Sequence, residues 1–347
     1  MASTRGLARL GMLAVGLGVG AAVAHSPVAS ADPFSFDPND IAISFDGHTL
    51  FHEGNATADT TTGDYSLAIA DGNGAGAFAY GTDGSAFADG SDANAISAGG
   101  TGDVAVADGT EAVAWAGGQD SDTNADDDTA IDIGNNASTG IRDGAFAGNS
   151  DDDGGTDGGT GSDDTAIDIG NNTEDGSLYG YSGAFAGAGG LLPGGSGDGN
   201  NDTAIDVGNN SGNFDGSFAQ DGNGNYASES GSITGTDDEI YAGIGNDNTA
   251  VGDTSYNASL DGVYALEGND NYASVLGPDN SYALAGYGDS NIAYVLDPFG
   301  STTSGADADG FNSDLAAVLF TDGTANAGIA NDVYDILTAF GPLSGTF

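Results

Sequence analysis

Residues 77–103 read Ala-Phe-Ala-Tyr-Gly-Thr-Asp-Gly-Ser (77–85), Ala-Phe-Ala-Asp-Gly-Ser-Asp-Ala-Asn (86–94) and Ala-Ile-Ser-Ala-Gly-Gly-Thr-Gly-Asp (95–103), three versions of one nine-residue phrase. Around them a bulky residue is followed three positions later by glycine six times, as Ile69/Gly72, Phe78/Gly81, Phe87/Gly90, Ile96/Gly99, Val106/Gly109 and Trp115/Gly118. Successive copies step by nine, nine, nine, ten and nine residues. Self-similarity at a short fixed period means that one unit stacks on itself, because so small a unit buries its apolar residue only against its neighbours. Each phrase is a short strand and a turn, with the bulky side chain pointing one way and the flanking alanines the other. The expected fold is therefore all-β: a β-solenoid (parallel β-roll or β-helix) whose bulky rank packs among stacked neighbours and whose glycines form the corners.

A longer unit follows. Asp-Asp-Thr-Ala-Ile-Asp-Ile-Gly-Asn-Asn stands at 127–136 and again at 163–172, and 201–210 repeats it with Asn201 and Val207 substituted. Their threonines, Thr129, Thr165 and Thr203, lie 36 and 38 residues apart, with Asp/Gly-rich linkers expected to bulge as partly disordered loops from one face. From Tyr226 onward, Tyr-Ala pairs at 226, 241, 264, 272 and 282 accompany asparagines at 225, 271, 280 and 291. Asparagine at equivalent turns can stack into amide ladders, and the tyrosines are expected mostly in the core.

The ends differ from the repeats. Ile41, Ile43 and Phe45 alternate with Ala42 and Ser44, then Asp46-Gly47 precedes Leu50 and Phe51, the pattern of a hairpin cap. Ile329, Val333, Ile336, Leu337 and Phe340 follow helical spacing before Gly341-Pro342, so a short C-terminal capping helix is expected. The organisation is then a signal segment (1–31), an N-terminal cap with hairpin (32–63), a nine-residue repeat solenoid (64–118), acidic Gly/Asp repeats with long loops (119–222), a Tyr-Ala/Asn repeat solenoid (223–325) and the capping helix with its tail (326–347).

The signal assignment rests on Arg5 and Arg9, an apolar run over 10–24, and Ala29-Ser30-Ala31 as an A-x-A cleavage site before Asp32. It implies a secreted or cell-surface product with no transmembrane segment after cleavage. The chain has 53 acids against three Lys and Arg, a formal charge of −50. Loss of Arg5 and Arg9 with the signal leaves Arg142 alone, or 1 − 53 = −52. Such a charge makes nucleic acid and anionic lipid unsuitable partners and leaves cations, cationic surfaces and neutral glycans. Without cysteine, stability must come from stacking, hydrogen-bond ladders or bound metal.

Only six acids are glutamate. Aspartate favours turns and ligates calcium, so the charge belongs on turns. Asp120, Asp122, Asp126 and Asp128 present oxygens at alternate positions, and Asp151 and Asp153 do so in the next acidic run, which makes calcium the expected ion. His48 and His52 share a strand face but lie about 13 Å apart along it, too far to converge on a metal. The chain after residue 31 holds no other histidine, no cysteine and no lysine, which excludes thiol and amine nucleophiles and any Ser/His/Asp array. Carboxylates are too numerous for spacing to single out a glycosidase pair.

The runs Asp-Thr-Ala-Ile-Asp-Ile-Gly-Asn-Asn and Ala-Phe-Ala-Asp-Gly-Ser-Asp-Ala resemble the repeats of trimeric autotransporter adhesin heads over about 64–296. That resemblance implies a left-handed β-roll, a trimer and binding to host surfaces. Ala-Ser-Ala before Asp-Pro, the opening Ile-Ser-Phe-Asp-Gly-His-Thr-Leu-Phe (43–51) and Leu-Ala-Ala-Val-Leu-Phe (315–320) resemble mycobacterial exported glycine-rich repeat proteins, which implies a compartment and no activity. The expected function is a non-enzymatic structural or adhesive surface role, engaging cell-envelope or host surface components. The alternative is a polysaccharide-processing enzyme on a parallel β-helix. An ice-binding solenoid would need flat threonine ranks, and the threonine spacing puts them out of register.

Overall fold

Consecutive nine-residue phrases become consecutive strands that go to different sheets. Leu67–Asp71 joins a long sheet, Gly76–Ala79 a short one, and Ser85–Asp89 returns to the first. One coil thus takes two phrases: Ile69 lies beside Phe87 and Phe87 beside Val106, while Phe78 lies beside Ile96 and Ile96 beside Trp115. The computed structural model describes residues 39–118, 126–136, 143–148, 162–170, 181–187, 199–208, 214–220, 222–228, 240–253, 262–276, 282–296, 304–308, 312–319, 323–327, 333–338 and 341–346. The signal segment lies outside them.

The long sheet has 15 strands. Its parallel body runs Leu67–Asp71, Ser85–Asp89, Val104–Asp108, Thr129–Gly134, Thr165–Gly170, Thr203–Gly208, Tyr226–Ser228, Thr249–Asp253, Tyr272–Leu276, Ile292–Leu296, Leu315–Leu319 and Val333–Thr338. The short sheet stacks eight strands from Thr57–Thr60 to Ile240–Ala242, and two two-stranded ladders add further sides to later coils. The fold is the expected all-β solenoid of long parallel sheets.

Its interior differs from the expected one. Ala68, Ala70, Ala77, Ala79, Ala86, Ala95, Ala105, Ala107, Ala114 and Ala116 are all 0% exposed and belong to one cluster filled from both sheets. Ile69, Phe78, Phe87, Ile96, Val106 and Trp115 are half-buried on the outer faces. The bulky rank is therefore the outer rank. A coil of two short strands brings its sheets so close that methyl-sized groups fill the gap, and larger side chains must point outward. The tyrosines follow the same rule: Ala227, Ala242, Ala265, Ala273 and Ala283 are buried, Tyr272 and Tyr282 are exposed, and Tyr241 alone of the five is buried. Wider coils near the C-terminus admit Val275, Val295 and Val318, in register and buried.

Corners repeat with the strands. Gly109 has φ 145°, and a Cβ on it would strike the carbonyl oxygen of Gly134 one coil on, as one on Gly90 would strike that of Gly109. Both ends close with antiparallel hairpins. Ile41–Phe45 pairs with His48–Glu53 and with Leu67–Asp71, and its turn Asp46-Gly47 has positive φ at both residues, as expected. At the other end Val333–Thr338 pairs with Gly341–Thr346, so the expected helix is a hairpin. The open edge of Leu315–Leu319 offers unpaired backbone groups that a strand can satisfy and a helix cannot, and Pro342 sits harmlessly on the outermost strand.

Ala105→Leu, which overfills the methyl-lined gap, is expected to destabilise the solenoid by about 1–3 kcal/mol, while Val106→Thr next to it stays within about 0.5 kcal/mol. Chemical denaturation of the two variants measures both. The reverse ranking would put the bulky rank inside.

Candidate functional site

From Val104 to Leu315 each body strand of the long sheet is entered through the same two positions. The first takes positive φ: Gly102, Asp127, Asp163, Asn201, Gly224, Asp247, Asp270, Ser290 and Ser313 all do so. Left-handed backbone is tolerated by glycine and by Asp or Asn, which explains part of the aspartate bias. The second residue turns its side chain into the wall. There stand Asp103, Asp128, Asp164, Asp202, Asn225, Asn248, Asn271, Asn291 and Asp314, none more than 1% exposed.

These nine form one continuous ladder. The backbone N–H of Asp128 donates to Asp103 Oδ1 (3.2 Å), that of Asp164 to Asp128 Oδ1 (2.9 Å), and that of Asp202 to Asp164 Oδ1 (2.9 Å). Asn225 N–H then donates to Asp202 Oδ1 (2.8 Å), Asn248 N–H to Asn225 Oδ1 (3.1 Å), and Asn271 N–H to Asn248 Oδ1 (3.1 Å). Asn291 N–H and Asp314 N–H continue it at 2.9 and 3.0 Å. The sequence separations along it are 25, 36, 38, 23, 23, 23, 20 and 23 residues, so long and short coils share the same rung.

The rungs differ at their second atom. Asn225, Asn248 and Asn271 donate Nδ2 to the carbonyls of Gly245, Gly268 and Gly288 at 3.1, 2.9 and 2.8 Å. Asp103 Oδ2, Asp128 Oδ2 and Asp164 Oδ2 meet no donor among the described residues. Burial pushes Asp128 up to about 9, with the Asp164 and Asp103 charges adding to the rise and the Asp164 N–H opposing it. Asp164 goes to about 8 and Asp103 to about 7, again chiefly through burial.

Two more acid columns stand beside the ladder. Asp132, Asp168 and Asp206 occupy the inward column that Ala107 fills one coil earlier, and all are at most 1% exposed. Asp132 Oδ2 accepts from Val113 N–H at 2.6 Å and from Asn136 Nδ2 at 2.9 Å. Asp71, Asp89 and Asp108 stack at the outer end of the first three body strands. Burial pushes Asp89 up to about 7, helped by the charges of Asp108 and Asp71, and raises Asp108 as well.

The outer surfaces carry little of this charge. On the long sheet from Thr129 to Leu319 the described outward positions are Thr129/Ile131/Ile133, Thr165/Ile167/Ile169, Thr203/Ile205/Val207, Tyr226/Ser228, Thr249/Val251, Tyr272/Ser274/Leu276, Ile292/Tyr294/Leu296 and Leu315/Ala317/Leu319. Thr129, Thr165 and Thr203 are consecutive rungs in register, contrary to the sequence expectation, although 36 and 38 residues separate them. On the short sheet Phe146, Phe185 and Phe218 stack with ring centroids 5.0 Å apart and planes 1° and 7° from parallel. An exposed amide row, Asn200, Asn223, Asn246 and Asn269, links side chain to side chain at 2.7–3.0 Å along a corner.

Of the sequence-derived calcium residues, Asp120, Asp122, Asp151 and Asp153 lie outside the described residues. Asp126 is half-buried, and its N–H donates to Ser162 Oγ at 3.3 Å. Asp128 is a ladder rung turned into the wall. No group of three or more His, Cys, Asp or Glu suited to a metal ion occurs among the described residues. His48 and His52 lie on the exposed hairpin strand, opposite Phe45 and Ala42. The asparagine ladder is legible in the sequence at Asn225, Asn271 and Asn291, while Asn280 lies outside the described residues and the aspartate rungs are not legible there. Their signal is positional: Asp103, Asp128, Asp164 and Asp202 precede a body strand just as Asn225 and Asn248 do. No protein-family model, curated protein or solved structure is significantly similar to this chain.

Two outcomes check the ladder. Asn248→Ala leaves Asn271 N–H and Gly268 O without partners and is expected to destabilise by about 2–4 kcal/mol in denaturant melts, against less than about 1 kcal/mol for the exposed Asn246→Ala. The second outcome concerns pH. Asp103, Asp128 and Asp164 hold their protons far more tightly folded than the ordinary carboxylate value near 4, so the folded state binds more protons across the interval up to about 9. Their stabilisation is full below about pH 4 and is lost as pH rises through the folded values. The melting temperature should therefore keep falling between about pH 6 and pH 9, where exposed carboxylates are already ionised, and 1 M salt should not abolish the slope. A flat profile there would show that these rungs are ionised when folded.

Proposed function

We propose that this chain is a non-enzymatic, exported structural or adhesive protein of the cell surface or its surroundings, which engages other surface components through the outer face of its long sheet. One observation carries the reading: in a chain of formal charge −50, none of the outward positions from Thr129 to Leu319 whose side chains are described is an acid. Clean segregation of charge from a flat apolar and hydroxyl-bearing face is what an interaction surface requires, because a charged partner of like sign is turned away and an uncharged one is not. The buried carboxyls support it from the other side. Asp103, Asp128 and Asp164, whose raised values would make them the first candidates for acid catalysis, are 0% exposed inside the wall and out of reach of a polymeric substrate.

Export rests on the 1–31 segment, and trimer formation on the adhesin-head resemblance. Calcium rests on the acidic runs containing Asp120, Asp122, Asp126, Asp128, Asp151 and Asp153. Millimolar calcium should raise the melting temperature beyond magnesium at equal ionic strength, and equal responses would leave only diffuse condensation.

The enzymatic alternative has one observation in its favour, the row Asp71, Asp89 and Asp108, where carboxyls repeat at a coil spacing of about 4.8 Å and Asp89 rises to about 7. Product release from neutral or acidic glycans, abolished by Asp89→Asn, would establish it. An ice-binding role draws on the threonine rank, but that rank is interrupted by Tyr226 before Thr249 resumes it.

Ile205→Asp places a charge in the middle of the face at an outward, half-buried position. Retention on envelope or host-surface preparations is expected to fall by at least about tenfold, with circular dichroism and melting nearly unchanged. Undiminished retention would move the binding surface elsewhere.

A further inference from the structure

The C-terminal half of that face has its own chemistry. From Tyr226 to Leu296 the aliphatic-and-threonine pattern of the earlier coils gives way to aromatic rings mixed with hydroxyls. Tyr226, Thr249 and Tyr272 are consecutive rungs of one column, and Tyr294 stands in the next column beside Ser274. Tyr272 and Ile292 are 37% and 41% exposed, while Tyr226 and Tyr294 are half-buried, so each ring is seated in the sheet with part of its surface toward solvent.

Parallel strands fix the spacing. Tyr226 and Tyr272 are separated by two coil steps, about 10 Å. An extended β-1,4-linked hexose chain repeats its orientation every two sugars over about the same length, so one ring face after another can meet a tyrosine while intervening sugars meet Thr249. Tyrosine offers an apolar plate and a hydroxyl at little entropic cost, which suits a partner that is apolar on its faces and polar on its edges.

Charge selects among occupants. A second copy laid face to face would bring another −50 against the first, and an anionic polymer would meet the same repulsion. A neutral polysaccharide meets none. We propose, resting on the adhesive reading above, that the Tyr226–Tyr272–Tyr294 surface is a docking platform for a neutral, extended β-1,4-linked polysaccharide lying along the solenoid axis.

The test is depletion binding of the full chain to microcrystalline cellulose, with soluble cello-oligosaccharides as competitors, carboxymethylcellulose as the anionic counterpart and α-1,6-linked dextran as the linkage control. Cellulose binding that cello-oligosaccharides displace and dextran does not is expected. Tyr272→Ala and Tyr294→Ala should each weaken it by about tenfold, Tyr272→Phe should retain most of it, and all three should melt like the parent. Equal competition by dextran, preference for carboxymethylcellulose, or full binding by the double alanine variant would overturn the proposal. So would a dimer in sedimentation that Tyr272→Ala dissolves, which would assign the face to self-association. Retention on envelope preparations without affinity for cellulose would remove this inference and leave the adhesive reading standing. Failure on every surface would remove both.

Discussion

From Asp103 to Asp314 each coil is tied to the last by a hydrogen bond that no strand supplies: the backbone N–H of an Asp or Asn donates to the side-chain oxygen of the Asp or Asn one coil before. The bond is buried from end to end, so breaking it leaves an N–H and an oxygen without water. It also fixes register. A strand slipped by one residue would turn its alanines outward and its isoleucines into a gap that holds only methyl groups. Separations of 25, 36 and 38 residues between Asp103 and Asp202 reach the same rung because it is set by this contact and not by chain length.

The two halves of the molecule use the ladder with different chemistry. Asn225, Asn248 and Asn271 complete their rungs with an amide that donates to a glycine carbonyl, and they do so at any pH. Aspartate has the same shape and the same acceptor, but its second oxygen lies against a glycine, with Gly148 and Gly187 so close that a Cβ on either would strike Asp128 Oδ2 or Asp164 Oδ2. Burial there raises the Asp128 and Asp164 carboxyls well above the ordinary carboxylate range. Among the other described acids, Asp83, Asp92, Glu111, Asp247 and Asp270 stand at corners with positive φ.

Much of this was legible in advance. The nine-residue phrase gave the strands, and Asp46-Gly47 gave the hairpin. Period two, however, names two faces without saying which is inside. Phe87 and Ile96 look like core by hydrophobicity, yet the thinness of a two-strand coil, a property of the whole stack, hands the interior to Ala86 and Ala95. The run from Val333 to Leu337 is short and apolar, so its helical spacing could not outweigh an open sheet edge that only the assembled solenoid presents. Asp128 reads as a calcium ligand because it continues the alternating oxygens of Asp120, Asp122 and Asp126. Only stacking reveals that it shares a column with Asn225 and Asn248.

Site-resolved amide hydrogen exchange reads the ladder directly. The N–H groups of Asp164, Asp202, Asn225, Asn248, Asn271 and Asn291 precede their strands and would exchange as loop amides if only the sheets held them. They are expected to be protected as strongly as the strand amides of Ala166, Ala204 and Ala250, all lost together in one cooperative opening. Exchange of the rung amides orders of magnitude faster than their strand neighbours would contradict the claim that this side-chain ladder holds the coils in place.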